Sequence, residues 1–186
     1  MNIYLTIFYI SSIIWIFPVF RQRKTEYIKY FIVLAVADPL GMLLYRLTHF
    51  PIQIYAFFVI ALMLSALSPP KYHLKYAALS IIASMLLWFC TLNSVLIHGF
   101  DSILLLAIIV VLCIRFVKKL IIKNVNLFLA LLIFYNIISF LRMFSIVLNY
   151  EQGAISSIMG NAFQIIFGIL FTFININTKN FKLNIR

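Results

Sequence analysis

Residues 102–123 read SILLLAIIVVLCIRFVKKLIIK. From Ile103 to Ile114 there is no charged, amide or hydroxyl side chain, and Lys118 and Lys119 close the run. A helix crossing a bilayer needs about 20 predominantly apolar residues, and residues 102–117 are read as one such span. Working outward, similar runs occur at residues 3–20, 28–47, 52–67, 72–92, 126–148 and 154–174. The expected fold is all-α: a bundle of about seven transmembrane helices.

Composition agrees. The chain has 186 residues, 65% hydrophobic and 10% charged, with a mean hydropathy of +1.11. Soluble domains carry about a quarter charged residues. Seven helices of about 20 residues use some 140 residues, so a single transmembrane domain over 1–186 is expected, with short loops. The first apolar run begins at once, without a basic leader or a small-residue cleavage site, and reads as a span rather than a signal peptide.

The connectors orient the spans. Arg21, Arg23, Lys24, Lys29, Lys71, Lys75, Arg115, Lys118, Lys119, Lys123, Lys179, Lys182 and Arg186 all fall on one side of the predicted alternation. Arg46 alone falls on the other, and Arg142 lies within a span. Short cytoplasmic loops collect Lys and Arg, so the N-terminus is expected outside and the C-terminus in the cytoplasm. The net charge of +11 is thus an anchoring device, and nucleic-acid binding is not expected. Tyr27, Tyr30, Tyr45, Tyr55, Tyr72, Tyr76 and Tyr150 fall near predicted helix ends, where amphipathic rings favour the interface.

Polar residues within spans carry the functional reading. Ionisable groups in hydrocarbon are costly and usually face a bundle interior or a wet cavity. Asp38 lies near the middle of the second span and Arg142 in the outer half of the sixth. A direct or water-bridged contact between them is expected, either to staple two helices or to serve a ligand. Ser156, Gly160, Gln164, Gly168 and Thr172 recur every four residues on the seventh span, forming a stripe that lets helices approach closely. Asn136, Ser139 and Arg142 make a polar face on the sixth. If the second, sixth and seventh spans meet, Asp38, Asn136, Arg142, Asn161 and Gln164 line one outward-facing pocket. His49, Asn93, His98, Asp101, Asn149 and Glu151 are placed in outer loops, Asn93 to Asp101 forming a turn.

Other chemistries fit less well. Cys90 and Cys113 are too far apart in the chain for a metal signature. Haem ligation requires histidines facing one another from different helices at matching depth. His49 and His98, both near the outer surface, are not excluded by geometry, but neither sits well within a span and interfacial histidine is common; His73 is on the other side. No hydrolase motif is present, Asp38 being the only acid placed in a span, and no mid-span lysine exists for a retinal Schiff base. No cofactor is expected. The chain therefore reads as a non-enzymatic membrane subunit or sensor acting through another membrane protein, with transport of a small solute or ion as the alternative. Richness in Ile, Phe, Asn and Lys suggests an AT-rich, bacterial source and a cytoplasmic-membrane location.

Overall fold

The computed structural model describes residues 3–90, 93–121, 125–148, 154–176 and 182–183. These fold into eight α-helices: α1 (Ile3–Ile14), α2 (Ile16–Gln22), α3 (Ile28–Thr48), α4 (Ile52–Ala66), α5 (His73–Phe89), α6 (Ser94–Ile121), α7 (Leu127–Val147) and α8 (Ala154–Phe173). The architecture is all-helical. One two-residue antiparallel ladder, Val125–Asn126 with Lys182–Leu183, is the exception. Segments 28–48, 70–89, 94–121 and 127–147 are long and apolar enough to cross a membrane, and this is a membrane protein. Three further apolar segments, 6–22, 52–66 and 158–173, are shorter.

Backbone chemistry explains where the elements break. The first span is two helices rather than one, because the chain turns at Trp15. Pro18 has no N–H to donate to the Ile14 carbonyl, and its ring crowds that turn. α3 runs through Pro39 and ends at His49, whose left-handed φ of 53° lets its N–H reach the Tyr45 carbonyl at 3.0 Å. This is a helix-terminating geometry that non-glycine residues seldom adopt. Pro51 then opens α4.

The expected outer turn from Asn93 to Asp101 is instead helical. Asn93 Oδ1 accepts from the Val95 N–H at 3.1 Å, so this residue starts α6 rather than a loop. Asn is favoured there because its side chain satisfies an N–H with no partner in the first turn. At its other end α6 continues through Lys118 and Lys119 to Ile121, where cations oppose the negative end of the helix dipole. The 28 residues of α6 extend for about 42 Å at 1.5 Å per residue. Asp101 thus lies in a helix, and Asp38 is not the only helical acid. Asn149, Tyr150, Glu151, Lys123, Lys179 and Arg186 lie outside the described residues.

α1 packs on α3 and α8, α2 on α3 and α8, α4 on α3, α5 and α6, and α6 on α7. The bonds between these elements bring the N-terminus of α3, the C-termini of α2, α4, α6 and α8, and the N-terminus of α7 to one end of the bundle. That end carries most of the described basic residues. Its centre is aromatic: Trp15, Tyr27, Tyr30, Phe31, Phe128 and Phe171 are all fully buried. Ring centroids lie 5.2 Å apart for Trp15–Tyr135, Phe31–Phe171 and Tyr27–Phe128, within the range where tilted and edge-on pairs attract. Tyr27 and Tyr30 are therefore core residues, not interfacial anchors. Each occurs near a helix start, but the faces they occupy turn inward.

Candidate functional site

A cavity of about 690 Å³ occupies the half of the bundle away from the basic end. It extends from Trp15 and Met63 at its deep side to Tyr45 and Ile52, where α3 ends and α4 begins. Such a volume is that of a small-molecule pocket, which is mostly apolar with a few convergent polar groups. Phe8, Leu34, Val59, Ile60 and Met143 supply apolar wall; Asp38, Ser139, Arg142 and Gln164 supply polarity.

Each polar group is positioned by its helix. Asp38 is on α3 one residue before Pro39, and Ser12 of α1 directs its hydroxyl toward Asp38 Oδ2 at 3.5 Å. The same Ser12 hydroxyl lies 3.0 Å from the Phe8 carbonyl. Arg142 reaches across from α7 to line the same cavity as Asp38. Its guanidinium lies against α8, where a methyl group on Gly160 would come within 2.7 Å of Arg142 Nη1. Gly160 therefore clears the space that the guanidinium fills. Gln164, one turn further along, has a buried Oε1 with no hydrogen-bond partner among the described residues. A buried acceptor left unpaired costs about 1–3 kcal/mol, a cost removed when a donor arrives.

The stripe on α8 thus serves two contacts at different depths. Gly160 meets Arg142, whereas Gly168 meets α1: a methyl group there would stand 2.6 Å from Ile14 Cγ2. Thr172 returns its hydroxyl to the Gly168 carbonyl at 2.7 Å. The side chain of Ser156 lies outside the described residues.

Of the five pocket residues read from sequence, Asp38, Arg142 and Gln164 line the cavity; Asn136 and Asn161 do not. Asn136 is fully buried below it. Its Oδ1 accepts from the Tyr30 hydroxyl at 3.0 Å and its Nδ2 donates to the Leu132 carbonyl at 2.7 Å, so it joins α3 to α7. Asn161 is half-buried on α8 and does not line the cavity.

Two helices that sequence reasoning left out complete the site. α1 brings Ser12, and α4 brings Tyr55, whose hydroxyl donates to the Ala37 carbonyl at 2.6 Å. Tyr55 packs so closely on α3 that a methyl group at Gly41 would be 2.6 Å from its Cε1. Gly41 two residues beyond Pro39 was the available signal, since small residues mark close helix approaches. Away from the cavity, Asp101 is fully buried on α6, with Oδ2 3.3 Å from His98 Nδ1. Among the described residues no group of three or more His, Cys, Asp or Glu could hold a metal ion.

No protein-family model, curated protein or solved structure matches the chain. The site must be read from its own chemistry.

Proposed function

We propose that the chain is a non-enzymatic membrane sensor or subunit that takes a small ligand into the cavity and acts through a partner membrane protein. It would cross a bacterial cytoplasmic membrane seven times, with the N-terminus outside and the basic end in the cytoplasm. The seven apolar helical segments and the positive-inside rule support this arrangement. α4, with 15 residues, reaches only about 22 Å at 1.5 Å per residue. Its place between α3, α5 and α6 shields it from lipid where it falls short.

The observation that carries the reading is the orphan Gln164 acceptor at the wall of a cavity that also holds Asp38 and Arg142. Purification in mild detergent from native membranes, followed by mass spectrometry, tests the partner. A stoichiometric second membrane protein is expected, and recovery of the chain alone would overturn the reading.

Transport is the second reading. It is favoured by the break between α1 and α2 at Trp15, a residue that lines the cavity, because interrupted helices beside a binding cavity are a transporter feature. Solute uptake by liposomes containing only this chain would establish it in place of the first.

A further inference from the structure

The flank of the bundle at the basic end carries a second cavity, of about 560 Å³, between α4, α5 and α6. α5 packs along α4, and its two buried residues are Ser80 and Ser84. Leu79 and Ala83 of α5 face Leu104 and Val111 of α6 across the cleft. The walls are apolar, whereas the rim near the end of α6 is cationic, formed by Arg115 and Lys118.

Arg115 donates to the Leu67 carbonyl and stands 3.5 Å from Glu26 Oε2. Lys118, just under one turn further along α6, is exposed. Of the two cations that line the mouth, Arg115 is paired with Glu26, which leaves the charge of Lys118. A phosphodiester with one negative charge balances it; a zwitterionic head carries its own ammonium and does not. A volume of about 560 Å³ lies within the range of small-molecule pockets and is elongated between two helices. Its apolar walls suit one acyl chain.

We propose that this cleft binds one anionic phospholipid, its phosphodiester at Arg115 and Lys118 and one acyl chain lodged between α5 and α6. Basic pockets between membrane helices recognise anionic head groups by this combination of charge and apolar wall. The lipid would serve as packing for α5, which otherwise rests on α4. The inference is independent of the first cavity and of the partner protein.

The test uses the purified full chain in mild detergent with equimolar dioleoyl phosphatidylglycerol and dioleoyl phosphatidylcholine, and native mass spectrometry as the readout. Phosphatidylglycerol adducts should exceed phosphatidylcholine adducts about fivefold or more. Lys118→Gln, at an exposed site in the last turn of α6, should bring the two within about twofold, while Lys119→Gln leaves the preference intact. Ala83→Phe should reduce adducts of both lipids by filling the cleft. Should that variant fail to fold, Lys118→Gln decides alone. Equal binding of the two lipids by the wild-type chain, or a preference unchanged by Lys118→Gln, would overturn the proposal. Displacement of the lipid by inorganic phosphate would also overturn it, because the site would then hold an anion without its chain.

Discussion

The two ends of the bundle treat polarity in opposite ways. At the basic end polar side chains secure backbone. Gln22, fully buried, donates from Nε2 to the carbonyls of Phe171 at 3.2 Å and Ile174 at 2.8 Å. These are carbonyls at the end of α8, where helical partners run out. Asn126 accepts from the Leu129 N–H at 3.3 Å and donates to the Ile176 carbonyl at 3.2 Å, and Asn175 donates to the Arg21 carbonyl at 2.9 Å. Arg115 holds the Leu67 carbonyl and Glu26. In the other half, Asp38, Arg142 and Gln164 converge on a cavity. One end commits most of its polar groups to closing helix termini, although Gln22 Oε1 and the Tyr27 hydroxyl are buried there without a partner among the described residues; the other directs them into a space that admits a ligand. The same residue types therefore mean architecture at one end and recognition at the other.

That contrast predicts the largest losses at the basic end's aromatic centre. Phe31→Ala should lower unfolding stability by about 3–5 kcal/mol, the usual range for truncating a buried Phe, measured by thermal or denaturant unfolding in detergent. A loss below about 1 kcal/mol would show that this centre is less well packed than its ring contacts imply. Next come the charges at the cavity. Asp38→Asn and Arg142→Gln should each reduce folded yield, on the scale of the about 2.5–3.5 kcal/mol attached to a charge in mid-membrane. The exchange Asp38→Arg with Arg142→Asp should recover part of the loss. Strictly additive losses in the double-mutant cycle would dissolve the pair.

Gln22→Leu is expected to cost about 1–3 kcal/mol, because two helix-end carbonyls lose their donor. Gln164→Leu should cost less or even stabilise the empty chain: both glutamines have a buried Oε1 without a partner among the described residues, but only Gln22 also holds helix-end carbonyls. Equal losses at the two glutamines would erase the distinction between the ends.

The smallest effect concerns Tyr27, just before α3. Burial, only partly offset by Arg115 beside it, pushes its phenol up to about 12. An unfolded tyrosine ionises near pH ~10, so this contribution is whole below about pH 10 and is lost as pH rises toward about 12. Tyr27→Phe should flatten that part of the alkaline stability profile. An identical slope in both proteins would mean that Tyr27 does not remain protonated there.

Much of this was legible in the residues. The apolar runs marked the helices because lipid leaves little other use for stretches such as Ile103–Ile114. Asp38, Arg142 and Gln164 stood out because ionisable and amide groups are costly at those depths. Asn93 misleads because one side chain serves both as turn residue and as helix cap, and only the conformation of its neighbours separates the two. Trp15 gives no sign of a break because the disrupting Pro18 acts on a carbonyl four residues back. Tyr30 and Asn136 showed no sign of being partners, since 106 residues separate them.

The sequence by itself determined the solvent, the helical class and the charge difference between the two ends, because those depend on composition and local spacing. Only the tertiary structure decided which polar groups close helix ends and which line a cavity. Whether an amide meets a carbonyl or an empty space depends on helices distant in the chain and on the rotation at which they pack.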